Sequence, residues 1–227
     1  MNYIIKPYML FAFIFSVTLV ACIEPDKTSE TGKKSEMQDQ NVLVLPVDEN
    51  KDRATWQKPE TVVAMLGDLD GKIIADIGAG TGYFTFRFAM NAAKVIAIDI
   101  VPGYLAILDN LKLKLPQEIY NKIETRLGKT NDPMLDTEEV DLVIMINTFN
   151  EISDKLEYLQ TVKKGIKQGG KIFFVDFKIK NLPIDAPDIN KRISIYELEN
   201  MLSRAGFTNI ITDDTTLDYQ FVVTAIK

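Results

Sequence analysis

Asp76, Asp99, Asn147 and Asp176 each stand at the carboxyl end of an apolar run, and three alternating glycines, Gly78, Gly80 and Gly82, follow the first of them. Glycines let a backbone adopt conformations that side chains forbid, and let a ligand lie against the main chain. A helix-like pattern comes next, with Phe84, Phe88 and Ala92 at four-residue spacing. A helix N-terminus offers free N–H groups at that spot. The Asp76 carboxylate would face a cation there and repel a phosphate. The spacing agrees, because a dinucleotide turn of the form Gly-x-Gly-x-x-Gly needs glycine at 83, where Tyr83 stands.

The elements that must position these groups follow from periodicity. Ile73–Ile77 reads as a buried strand, and strand, glycine turn and helix open a βα unit. Further strands are predicted at 94–99, 123–127, 140–146 and 171–177, with the last two at 208–212 and 217–226. A helix introduced by Arg53, Trp56 and Pro59 runs to about Leu66, with Pro59 in its first turn. Another covers 102–115, one opens at Ser153 and Asp154 and stops at Gly169-Gly170, and one starts from a Ser194/Glu197 capping box and runs to Arg204. Only a turn, Asp213 to Thr216, joins the last two strands, so they are antiparallel. In an open α/β sheet the carboxyl ends of the strands meet at one crevice, so Asp76, Asp99, Asn147 and Asp176 are expected to converge.

Composition sets limits. The 227 residues suit one α/β domain plus extra chain, and the net charge of −6 speaks against nucleic acid as a partner. The chain has no histidine, which removes Ser-His-Asp and Cys-His nucleophiles and histidine metal sites. Its one cysteine, Cys22, excludes internal disulfides and zinc clusters, and no metal site is expected.

Asp-Ile-Gly-Ala-Gly-Thr-Gly, residues 76–82, resembles motif I of the class I S-adenosylmethionine-dependent methyltransferases. Gln168-Gly-Gly-Lys-Ile resembles the turn before the fifth strand of that family, and Trp56-Gln-Lys-Pro-Glu resembles the first helix of a small-molecule subgroup, which covers the cofactor. The resemblance spans about residues 50–227. It implies a Rossmann-like, seven-stranded, mostly parallel sheet with an antiparallel last strand and helices on both faces. It also implies S-adenosylmethionine as cofactor and a small-molecule methyl acceptor. The residues it places at the cofactor are Asp76, Gly78, Ala79, Gly80, Thr81 and Gly82 in the turn, Asp99 and Ile100 after the second strand, Thr130 and Asn131 in the loop bordering the adenine, and Asn147.

Asp99 lies about twenty residues past the turn, as expected of a ribose-binding acid, and equally suits the N-cap of the next helix. Thr130, Asn131 and Asp132 are explained nearly as well by a turn before Pro133. Relatives resembling 147–152 commonly carry histidine near 150 or 151, whereas this chain has Asn150 and Glu151. Glu151 is the candidate base and Asn150 the candidate substrate-orienting group. The competing role for Glu151 is a charge favoured near a helix N-terminus.

The first 49 residues read differently. Lys6 precedes a nearly continuous apolar stretch, Tyr8 to Val20, followed by Ala21-Cys22. This resembles a bacterial lipoprotein signal, residues 1–21, cut before a lipidated Cys22 that anchors the chain to a membrane. Residues 22–49 then form a polar tether, and 50–227 the methyltransferase domain. The alternative is a cytoplasmic enzyme starting at Met37. Two functional rivals stand beside catalysis: an S-adenosylmethionine or S-adenosylhomocysteine binding lipoprotein without turnover, and an NAD(P)-dependent oxidoreductase.

Overall fold

The computed structural model describes residues 51–227. The expected signal peptide, lipidated Cys22, tether and alternative start at Met37 lie outside the described residues. Among the described residues no helix is long and apolar enough to cross a membrane.

Seven strands form one sheet: β1 Ile73–Ile77, β2 Lys94–Asp99, β3 Ile123–Leu127, β4 Val140–Ile146, β5 Ile166–Phe177, β6 Thr208–Asp213 and β7 Gln220–Ile226. Their order is β3-β2-β1-β4-β5-β7-β6. The first five run parallel, and β7 is antiparallel to both neighbours. The fold is therefore the mostly parallel, Rossmann-like sheet expected, with its topological switch between β1 and β4. The last hairpin is not simply appended, because β7 lies inside the sheet and β6 forms the edge.

Central strands with both faces covered must be apolar throughout, and β1, β2 and β4 are: Ile74, Val95, Ile96, Val143 and Ile144 are wholly inaccessible. One core, on the face covered by α6 (Lys155–Gly165) and α7 (Ile195–Arg204), gathers Met145, Phe149, Leu159, Phe174, Leu198 and Leu202. The other, on the face of α2 (Pro59–Met65), α3 (Thr85–Asn91) and α4 (Pro102–Lys112), gathers Val62, Phe86, Phe88, Leu108, Ile144 and Phe173. Burying one such side chain contributes roughly 1.5–3 kcal/mol. The Ser194/Glu197 capping box starts α7 as expected, with both reciprocal hydrogen bonds present.

Three boundaries differ from expectation. The single helix expected to reach Leu66 is two, α1 (Lys51–Gln57) and α2, because Lys58 turns left-handed at φ 50° and Pro59 restarts the helix. The helix expected to stop at Gly169-Gly170 stops at Gly165, because Ile166 already pairs with Val140 in the sheet. The short α5 (Gln117–Tyr120) was not foreseen.

Candidate active site

The turn after β1 is held by β2. The N–H groups of Gly78 and Ala79 both donate to the Ile98 carbonyl, at 2.8 and 3.0 Å, and Gly80 N–H donates to Asp99 Oδ2 at 2.9 Å. Asp99 Oδ1 accepts from Val101 N–H at 2.9 Å. The second strand's acid thus shapes the first strand's glycine turn. Each carboxylate oxygen keeps a further lone pair for a hydroxyl donor.

The three glycines have different tasks. A Cβ on Gly78 would sit 2.1 Å from Thr148 Oγ1, so this position lets the turn pass the end of β4. Gly80 takes φ 54° and a Cβ there would meet nothing within 4 Å, which leaves its backbone open to a ligand. Gly82 is a packing position: a Cβ would press on the Phe86 ring at 2.7 Å and on Leu108 at 3.0 Å. The helix that follows starts later than the motif suggests, at Thr85, so the turn itself rather than a helix end presents the N–H groups.

These glycines border a cleft of about 360 Å³ lined by Gly78, Gly80, Asp99, Ile100, Tyr104, Thr130, Asn147, Thr148, Glu151 and Tyr158, among others. That is a size suited to a cofactor-sized molecule. A smaller lobe of about 90 Å³ shares Gly78 and Gly80 and adds Arg53, Asp76, Ala79, Thr81, Tyr83 and Phe84. Asp76 is buried and accepts from Thr85 Oγ1 at 2.6 Å. Burial pushes its pKa up to about 6; the Thr85 hydroxyl opposes the shift, the Asp99 carboxylate adds to it and Arg53 again opposes it. A cation bound in this lobe would draw Asp76 back to its ionised form.

Of the residues expected at the site, Gly78, Gly80, Asp99, Ile100, Thr130, Asn147 and Glu151 line the cleft, and Asp76, Ala79 and Thr81 line the lobe. Neither cavity receives Gly82, for the packing reason given, or Asn131, which is exposed in the loop closed by the Lys129–Asp132 backbone bridge. Asn147 adopts φ 57° and its Oδ1 accepts from Gln220 Nε2 at 2.5 Å. Such backbone strain in a non-glycine residue clusters at functional sites.

Asn150 faces away from the cleft. Its Nδ2 donates to Asp176 Oδ1 at 2.5 Å and its Oδ1 accepts from Ile193 N–H at 2.7 Å, so it braces the end of β5 against the start of α7. Asp176 consequently stands apart from the other three strand-end groups. It is buried, its pKa is pushed up to about 6 by that burial, and its Oδ2 has no hydrogen-bond partner among the described residues. Gln220 Oε1 and Gln57 Nε2 share that condition.

The α1 contribution was only partly foreseen. Trp56 packs on Phe177, centroids 5.7 Å apart, and the Arg53 guanidinium lies 4.1 Å from the Tyr83 centroid while its Nε donates to Gln57 Oε1 at 2.6 Å. Arg53 belongs to no motif, and Gln57 falls inside Trp56-Gln-Lys-Pro-Glu, whose resemblance gave it no role of its own.

A family model described as "Methyltransferase domain" matches residues 68–217. The tRNA U34 carboxymethyltransferase of Marinobacter nauticus is 30% identical over 139 residues, 60% of this chain and 39% of that protein. The demethylmenaquinone methyltransferase of Tropheryma whipplei (strain Twist) is 29% identical over 124 residues, 55% of this chain and 48% of that protein. The chain thus spans less than half the length of these curated relatives. A S-adenosylmethionine-dependent methyltransferase structure from Aquifex aeolicus superposes with a TM-score of 0.69 at 24% identity, covering 78% of this chain and 93% of that one, and shares the fold.

Proposed function

We propose a reaction from one premise: this chain belongs to the methyltransferase domain family, whose cofactor and methyl donor is S-adenosylmethionine. The reaction is transfer of that methyl group to a small-molecule acceptor. The observation that carries this reading is the Gly80–Asp99 hydrogen bond in a cleft onto which the unobstructed Gly80 backbone opens. The residues fit the cofactor. Asp99 would accept from ribose hydroxyls, the open backbone at Gly80 would lie against the ligand, and Asp76 in the smaller lobe would meet the ammonium of the amino acid end. Thr130 and Ile100 border the other end of the cleft. When bound, the cofactor supplies a sulfonium-activated methyl group open to direct displacement.

What remains for the protein is positioning and exclusion of water. Tyr158 and Ile152 give the cleft its apolar wall. Glu151 is exposed on its rim, within reach of an acceptor entering there, and serves as base when that acceptor must lose a proton. Asn150 acts from behind by fixing the three-residue turn 149–151 that carries Glu151. The acidic chain, with no basic stripe, favours a small acceptor over the RNA that one relative's name implies; the other relative's name denotes a quinone. A soft metalloid is disfavoured because the chain has no thiol besides Cys22.

A second reading, binding without turnover, is favoured by one observation: Asn150 is fully committed to bracing, and the chain has no histidine to replace it. For location, the apolar run ending in Cys22 supports a membrane-anchored lipoprotein, periplasmic or cell-surface, over a cytoplasmic product begun at Met37. Loss of membrane partition in Cys22→Ala supports the anchor, and unchanged partition removes it.

Calorimetric titration of the full chain with S-adenosylmethionine and S-adenosylhomocysteine, beside Asp99→Ala, tests the cofactor site. Binding weakened about tenfold to a hundredfold in the variant is expected for loss of a charged acceptor. No binding of either ligand by the parent chain would overturn both readings, whereas binding with no transfer to any screened acceptor would select the second.

A further inference from the structure

Among the polar side chains that line the cleft, two are buried, Asp99 and Tyr158, and they differ in one respect. Asp99 is held by the N–H groups of Gly80 and Val101. The Tyr158 hydroxyl makes no hydrogen bond to any described residue, although the residue is only 5% exposed. The neighbouring polar groups are already bonded or open to water. Thr148 Oγ1 donates to the Ile146 carbonyl at 3.0 Å and Asn147 Oδ1 accepts from Gln220, while Tyr104 and Glu151 are exposed. A buried hydroxyl without a partner is destabilising, and a phenylalanine ring would fill the same wall without that penalty.

The fold fixes where this hydroxyl stands. Tyr158 lies in the first turn of α6, its N–H bonded to the Asp154 carbonyl at 2.9 Å, and the helix is anchored by the wholly buried Leu159 and Val162. Its ring belongs to the same core as Ile77 and Ile98, whose strands carry the glycine turn and Asp99. Burial, and after it the Asp132 carboxylate, push its pKa above the ordinary tyrosine value. The hydroxyl therefore keeps its proton and lies toward the loop after β3, from which Gly128, Lys129 and Thr130 line the cleft.

A protonated phenol calls for an acceptor. With Asp99 at the ribose hydroxyls and Asp76 at the amino acid end, the part of the cofactor left for the 128–130 end is the base, whose ring nitrogens accept hydrogen bonds. We propose that the Tyr158 hydroxyl donates to a ring nitrogen of the cofactor's adenine and is a residue that selects this base. The assignment rests on the reading of the cleft as the S-adenosylmethionine site. Tyr158 belongs to none of the stretches that carry the family resemblance, so its role comes from the cleft geometry alone.

Calorimetric titration of the full chain and of Tyr158→Phe tests it, using S-adenosylhomocysteine and its 1-deaza, 3-deaza and 7-deaza analogues, each with one ring nitrogen replaced by C–H. One analogue is expected to bind the parent about tenfold more weakly than S-adenosylhomocysteine, and the variant is expected to bind these two ligands alike. The other two analogues keep the same ratio to S-adenosylhomocysteine in both chains. Thermal melts without ligand should coincide or favour the variant, since the hydroxyl has no partner to lose. Ratios unchanged by the substitution for all three analogues overturn the assignment. A ligand-free variant less stable than the parent also overturns it, by giving the hydroxyl a partner within the protein. So does a variant with a raised acceptor KM and unchanged S-adenosylhomocysteine affinity, which moves the hydroxyl to the acceptor. A parent chain that does not bind S-adenosylhomocysteine removes the cofactor reading itself, whereas binding without the analogue coupling removes the role of Tyr158 alone.

Discussion

The two halves of the sheet's carboxyl edge treat polar atoms differently. At β1 and β2, Asp99 accepts from two backbone N–H groups and Asp76 from a hydroxyl nine residues along the chain. At β5 and β7, Asp176 Oδ2 and Gln220 Oε1 lie buried without a hydrogen-bond partner among the described residues, as does Gln57 Nε2 of α1. An unsatisfied buried polar atom costs about 1–3 kcal/mol. The first half is completed by its own short-range sequence before any ligand arrives. The second is assembled from distant segments and gains from a polar group brought to it. None of these three unpartnered groups lines the cleft or the lobe, so the contrast separates the glycine-turn end of the sheet from its bracing end.

The largest test of that contrast is steric. Gly78→Ala places a methyl group on Thr148 at a φ of +79° and is expected to cost about 3 kcal/mol. Gly169→Ala, at φ +74° with open space around it, should cost about 1 kcal/mol. Urea unfolding compares them; equal losses would show that the glycine turn is not tightly built.

Asp76→Asn acts with the opposite sign. The folded-state carboxyl, near 6, lies above the ordinary 3.8, so its contribution to stability is full below pH 3.8 and is lost as pH rises through 6. The asparagine variant lacks that loss and should be more stable at pH 7 by up to roughly 3 kcal/mol, a gain that vanishes near pH 3. It should also bind S-adenosylmethionine far more weakly. Thermal melts across pH, with calorimetry at pH 7, check both; a variant that gains stability and keeps its affinity would place the cation elsewhere.

Asn150→Ala belongs to the other half. It removes a donor from buried Asp176 and the acceptor of Ile193 N–H, with an expected loss of about 2 kcal/mol. S-adenosylhomocysteine affinity should stay unchanged, and a parallel fall would show the halves to be coupled. Glu151→Gln has the smallest effect on stability, within about 0.5 kcal/mol for an exposed residue. Where the acceptor must lose a proton it should lower kcat about a hundredfold and flatten its pH profile. An unaltered rate and profile would leave Glu151 as a rim charge.

The same contrast explains what could be read from the sequence. β1, β2 and β4 were legible to the residue because a strand covered on both faces must be an unbroken apolar run, whereas the edge strand β3, Ile-Glu-Thr-Arg-Leu, carries no such run and left a weaker trace. Asp76, Gly78, Gly80 and Asp99 were legible because their spacing is short and each residue type has a stated task. Helix ends were not, since Gly165 and Gly169-Gly170 give the same stop signal and only the Val140–Ile166 pairing chooses between them. Gln57, Gln220 and the bracing role of Asn150 were invisible, because each depends on a contact between segments far apart in the chain. Gly82 holds a motif position but lines neither cavity, and its lack of a side chain is accounted for by packing against Phe86 and Leu108.

The placement of β7 bears on how the sheet closes. Residues 220–226 fill the slot between β5 and β6, seven positions from Phe177 to Lys171 pairing with their whole length. The edge strand β6 joins the sheet through β7 alone, so a strand late in chain order locks an earlier one in place, and the second half of the sheet cannot close before residues 220–226 have docked.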